Sequence, residues 1–120
     1  MKCWSKLLGK SESKLGRQDS VEWIAVYFPL VSGEYGSESE VAEIHTFTDH
    51  LQAVIYESSK GVFDGDEFGE GQCGLFMYGP DADQLLAVIL PFFASWNKAA
   101  GGQIILRYGD RHGREQRISL

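Results

Sequence analysis

Between Val21 and Phe28 apolar residues fill both alternating sets, with Ile24, Val26 and Phe28 in one and Trp23, Ala25 and Tyr27 in the other. A strand with two apolar faces is covered on both sides, so it belongs in the middle of a sheet. Pro29 ends its ladder. The period then changes. Ser37 followed by Glu40 has the spacing of a helix-capping box, and Val41, Ile44, Phe47, Leu51, Val54 and Ile55 form a helical stripe to about Glu57. Gly61 to Phe63 opens a short second strand, and the glycines and carboxylates of Asp64–Gly71 predict a turn or bulged hairpin. Cys73, Leu75 and Met77 alternate with Phe76 and Tyr78 in a third strand.

A second helix is expected from Pro80 at its first position, with Asp81 and Asp83 complementing the dipole. Leu85, Leu86, Ile89, Phe93 and Trp96 line its apolar side, and Ala99–Gly102 closes it. Pro91 lies nearly opposite that side, where a kink can face solvent. Gln103–Tyr108 and Arg114–Leu120 read as two last strands around a loop at Gly109–Gly113. The order strand, helix, strand, strand, helix, strand, with an extra C-terminal edge strand, predicts an α+β, ferredoxin-like βαββαβ sandwich. Both helices should cover one face of an antiparallel sheet. That fold hosts unrelated functions and transfers none.

Charge changes the picture at the N-terminus. The chain has a net charge of −6, but residues 1–20 contain Lys2, Lys6, Lys10, Lys14 and Arg17 against Glu12 and Asp19. Their local charge of +3 leaves −9 on residues 21–120. The division is therefore a basic, flexible tail at 1–20 and a single domain at 21–120. Trp4, Leu7, Leu8, Ser11 and Leu15 share one side of a helical projection, so residues 1–15 could also rest on an anionic membrane surface. An acidic body repels a phosphate backbone, which argues against nucleic acid and for a basic protein partner. Two cysteines, Cys3 and Cys73, give no support to a disulfide framework, and no apolar run is long enough to span a bilayer. A cytoplasmic protein without cofactors is the simplest expectation.

The densest chemistry lies at Asp64, Asp66, Glu67 and Glu70. Set on an EF-hand loop, Asp64, Asp66 and Gly69 fit positions one, three and six, but Phe68 and Leu75 fall where oxygen ligands are needed. A solvated turn or a contact for a basic protein fits these carboxylates better than a cation site on Asp64, Asp66 and Glu67. His45 and His50 lie about 140° apart around their helix and cannot share one metal; His45 is expected to pair with Asp49. His112 has no partner motif. Cys73 alternates with core residues and reads as a buried, inert thiol. Gly-x-Ser-x-Gly, Walker A and Rossmann glycine motifs and paired Cys-x-x-Cys are all absent.

If Ile24, Val26, Phe28, Cys73, Leu75 and Met77 meet the helices, then Trp23, Tyr27, Phe76 and Tyr78 gather on the other face. RNA-recognition modules stack bases on such aromatics, but the basic flank is missing here. A patch of that kind needs a cover, and sheet-to-sheet homodimerisation or a protein partner would supply one.

The run Phe63-Asp64-Gly65-Asp66-Glu67-Phe68-Gly69-Glu70-Gly71, with Cys73 and Met77-Tyr78-Gly79-Pro80-Asp81-Ala82-Asp83, resembles a pattern in small bacterial proteins of unassigned function. The resemblance extends from Val21 to Tyr108 and implies a bacterial cytosolic domain with the ferredoxin-like fold, but no reaction. The functional expectation is a non-enzymatic interaction domain, self-associating through the aromatic face and possessing an inhibitor- or immunity-like acidic contact. The alternative is a metal-assisted or small-ligand enzyme using the acidic turn 64–70.

Overall fold

The structure, a computed structural model, describes residues 21–109 and 113–120. The expectations for the tail and for His112 fall outside these residues. Strand β1 (Glu22–Pro29) leads through a loop to helix α1 (Glu38–Ser58), and a hairpin of β2 (Val62–Gly69) and β3 (Gln72–Gly79) follows. Helix α2 (Ala82–Ala94), a 3-10 turn at Asn97–Ala99, β4 (Gln103–Arg107) and β5 (Glu115–Ser119) complete the order. The sheet runs β2-β3-β1-β4-β5, and every pairing is antiparallel. This is the ferredoxin-like sandwich with an added edge strand. No helix among the described residues is long and apolar enough to cross a membrane.

Face assignment follows directly from register. Ile24 opposes Met77 and Leu106, and Val26 opposes Leu75 and Ile104. These residues form the main core with Phe28, Ile44, Leu51, Ile55, Leu85, Ile89 and Phe93. Burying each such side chain stabilises the fold by roughly 1.5–3 kcal/mol. At one end Phe47 stacks on Trp96 with ring centroids 3.6 Å apart and planes 3° from parallel. Trp23, Ala25 and Phe76 form a separate cluster on the opposite face, with Val21, Tyr27 and Tyr78 packed against it.

Of the two readings for residues 64–71 the bulged hairpin holds: β2 continues past Phe63 to Gly69, because a bulge between Phe63 and Gly65 takes up Asp64 and restores pairing. The turn shrinks to Glu70 and Gly71, with φ of 56° and 75°, the two-residue geometry whose twist suits a hairpin. Helix α2 starts at Ala82, two residues later than Pro80 implied. Asp81 is its N-cap, accepting from the Gln84 N–H at 3.1 Å. It also ends at Ala94, before Trp96, since the Ser95 hydroxyl bonds back to the Pro91 and Phe92 carbonyls. Pro91 itself faces solvent as expected.

The capping box at α1 is half realised. Ser37 accepts from the Glu40 N–H at 3.1 Å, but the Glu40 carboxylate does not return to Ser37. It turns inward, is 5% exposed, and accepts from the backbone N–H groups of Val31 (2.9 Å) and Ser32 (3.0 Å). The Ser32 hydroxyl and the Lys98 ammonium donate to it as well. Burial alone would raise its pKa; Lys98, Ser32 and the backbone donors outweigh burial and hold it at about 2, below the ordinary 4.5. One carboxylate thus fixes the β1–α1 loop, the first turn of α1 and the chain after α2.

Candidate functional site

The face away from the helices divides into two halves. Trp23 at 3% exposure and Phe76 at 1% are buried, with Ala25 and Ile105 beside them. Trp23 and Tyr78 pack with ring centroids 4.8 Å apart. Further along the same face the surface drops into a groove of about 550 Å³.

The groove's floor depends on an absent side chain. Gly74 sits between Tyr27 and Glu67 in the sheet register, and a Cβ there would lie 2.8 Å from the Tyr27 ring and 3.1 Å from Phe76. Glycine therefore lets Tyr27 lie flat across β3, with its ring edge toward Phe76 at 5.9 Å between centroids.

One wall is the β1–α1 loop, which carries Glu34 and Tyr35. Two backbone bonds strap it to the hairpin turn: Gly71 N–H to the Glu34 carbonyl at 3.0 Å and Leu30 N–H to the Gly71 carbonyl at 2.8 Å. Tyr35 is 63% exposed and its ring passes close over Gly69. The wall is held from inside by Glu40 through Val31 and Ser32. Such a groove exists before any ligand arrives. Glu67 and Glu70 line it beside Glu34, while Arg117 on its far side is already paired with Glu115 at 2.9 Å.

The sheet pleat separates the four candidate carboxylates. Asp66 opposes Leu75 and turns to the helix side, where it meets His45 at 3.4 Å. His45 thus pairs with a strand residue, not with Asp49 in its own helix. Glu67 opposes Gly74 on the groove side, Glu70 is in the turn, and Asp64 sits in the bulge. Among the described residues no group of three His, Cys, Asp or Glu side chains is placed to hold a metal ion. Cys73 is fully buried, and burial first, then Asp66 and Glu40, push its thiol up to about 12. It is not a nucleophile.

Sequence reasoning missed two features. Tyr35 and Glu34 looked like ordinary loop residues, and no local signal ties them to the turn at residue 70. Glu22 was also passed over, although its carboxylate accepts from Ala82 N–H at 2.8 Å and Gly109 N–H at 3.1 Å. It anchors the start of α2 and the end of β4 to the start of β1. Nearby, the Tyr108 hydroxyl donates to Asp83 at 2.6 Å; burial foremost, with Asp83 adding to it, pushes that phenol up to about 12.

The fold and groove together define a ferredoxin-like domain with an acidic, tyrosine-lined surface depression. Against protein-family models, curated proteins and solved structures, the chain finds no match.

Proposed function

We propose that this protein is a non-enzymatic interaction domain that receives a basic segment of a protein partner in the groove between Tyr35 and Gly74. The observation that carries this reading is the grouping of Glu34, Glu67 and Glu70 around the rings of Tyr27 and Tyr35. A lysine or arginine side chain meets both charge and aromatic faces there, and a cation over a ring adds roughly 0.5–2 kcal/mol. Glu70 supports it further. A non-glycine residue at φ 56° costs on the order of 1 kcal/mol, and a strained carboxylate at a groove's rim fits a binding role. An inhibitor that covers a basic surface of its target, in a bacterial cytoplasm, is the concrete form of this reading.

The test is an NMR titration of the full chain with a short arginine-rich peptide, alongside a glutamate-rich control. Shifts confined to Tyr27, Tyr35 and residues 67–74, and lost in Glu67→Gln/Glu70→Gln, support the assignment. Shifts spread evenly over the acidic surface, or none, overturn it.

Self-association through the sheet face is a second reading, favoured by the half-buried rings of Tyr27 and Tyr78. It has to proceed without Trp23, which is buried within one chain. Light scattering that finds a dimer, reduced to monomer by Tyr78→Asp, would support it; a monomer at all concentrations removes it.

A further inference from the structure

The groove has two chemically different ends. Register sets Glu67, Gly74, Tyr27 and Gln103 opposite one another in turn, a single row across β2, β3, β1 and β4. Ile105 and Arg117 oppose each other in the next row of the same face, and both line the groove. The depression therefore runs across the strands, from the hairpin to β5. Its near end carries Glu34, Glu67 and Glu70, and its far end carries the Gln103 amide and the Arg117 guanidinium.

Arg117 is oriented by its neighbours. Its Nε and Nη2 donate to Glu115 at 3.1 and 2.9 Å, and Nη1 reaches Gln103 Oε1 at 3.5 Å. Glu115 also accepts from Arg107 at 3.1 Å, so it neutralises Arg117 only in part. The Arg117 side chain is 59% exposed. A cation arriving at this end meets like charge, whereas a carboxylate could accept from Nη1 and from the Gln103 amide.

We infer, resting on the basic-segment reading above, that the occupant is a polarised, extended protein segment. Its arginine or lysine enters the end with Glu34, Glu67 and Glu70, and its aspartate or glutamate, about five residues along, reaches Gln103 and Arg117. Charge complementarity sets the order, and sheet geometry sets the spacing. Four strand intervals of roughly 4.8 Å separate β2 from β5, about 19 Å in all, which an extended chain covers in about five or six residues. Among the described residues β5 is the edge of the sheet, so a segment can continue past Arg117. An internal acidic side chain suits that open end better than a chain terminus. Arg117 then supplies what three carboxylates alone lack, a means of refusing uniformly basic chains. Like charge placed against wrong partners is a source of specificity.

The test is an NMR titration of the full chain with short glycine–serine peptides, capped at both ends. One carries an arginine and a glutamate with four residues between them, a second has glutamine in place of the glutamate, and a third has the two charges adjacent. The first should bind roughly two- to fivefold tighter than the second, the range for an exposed ion pair. It should also shift Gln103, Ile105 and Arg117 together with Tyr35 and residues 67–74. Arg117→Gln should bring the first two peptides to the same affinity. Equal affinities on the unaltered chain overturn the inference, as does tight binding of the adjacent pair. So does an uncapped glutamine peptide that matches the glutamate one, because its terminal carboxylate would then be the group recognised. In each of these cases shifts at Tyr35 and residues 67–74 would leave the basic-segment reading standing. Their absence with every peptide would remove both.

Discussion

The two faces of the sheet use the same strands to different ends. On the helix side Ile24, Val26, Leu75 and Met77 are fully buried, and each position along β1 and β3 is filled by a side chain fitted to α1 or α2. On the other side one end of the same two strands holds Trp23 and Phe76, also buried, and the other holds Tyr27, Gly74 and an open groove. Glycine at 74 gives up roughly 0.5–1 kcal/mol of strand propensity relative to alanine, but the Tyr27 ring leaves no room there for a methyl; the strained Glu70 is the residue that folding alone would not favour. The helix side is organised for cohesion. The groove half gives up some of it to keep a shaped, charged depression.

The largest effect should come from the helix layer. Lys98→Met leaves the buried Glu40 without its ammonium partner and should destabilise the chain by about 3–5 kcal/mol, read as a fall in the urea midpoint. A change near zero would show that the layer is far softer than its burial implies, and the contrast between the faces would be lost.

Acid should act on the same point. The folded pKa of Glu40, about 2, lies below its ordinary value of 4.5. A depressed carboxylate contributes stability that is fully present above 4.5 and is lost as pH falls through 2. Thermal melts of the native chain and Glu40→Gln should therefore converge across that window and keep a constant separation above it. Separation that does not narrow would mean that Glu40 acts through packing alone. Because Glu40 also holds Val31 and Ser32, the loop bearing Glu34 and Tyr35 should lose definition over the same range.

Gly74→Ala sharpens the comparison on the open side. The added methyl would crowd the Tyr27 ring, which has to swing into the groove. Overpacking of this sort costs about 1–3 kcal/mol, with the low end expected because a ring edge yields more readily than backbone. Loss of peptide-induced shifts at Tyr35, while the resonances of the helix-side core keep their native positions, is the expected outcome.

What the sequence made legible was governed by period. Alternation in β1 and β3 assigned every core residue to its side, and the stripe from Val41 to Ile55 located α1 to within a residue or two. Features set by contacts between distant segments were not legible. Glu40 matched a local capping pattern, but its fate depends on Lys98, 58 positions away. The glycine-rich run at 64–71 read equally as a turn or a bulged hairpin because composition does not distinguish a bulged strand from a loop. Once β2 is extended, the pleat sends Asp66 and Glu67 to opposite faces, and the apparent acidic cluster divides. One wall of the groove comes from a loop whose only sequence signal was Gly33 and Gly36, so its alignment with the turn at Glu70 had to be seen in three dimensions.

The smallest effect is also the most telling, because stability and binding should move in opposite directions. Glu70 and Gly71 have the φ values of a two-residue hairpin turn in which asparagine is favoured at the first position. Glu70→Asn should therefore raise stability, by up to about 1 kcal/mol, measured as a higher urea midpoint. The same change removes one of three carboxylates from the groove and should weaken the arginine-rich peptide. A variant that is steadier but binds equally well would detach the turn from the contact and return the groove to its floor and Tyr35 wall. A variant that is less stable would mean that the carboxylate supports the hairpin, and the strain at Glu70 would no longer argue for a role in recognition.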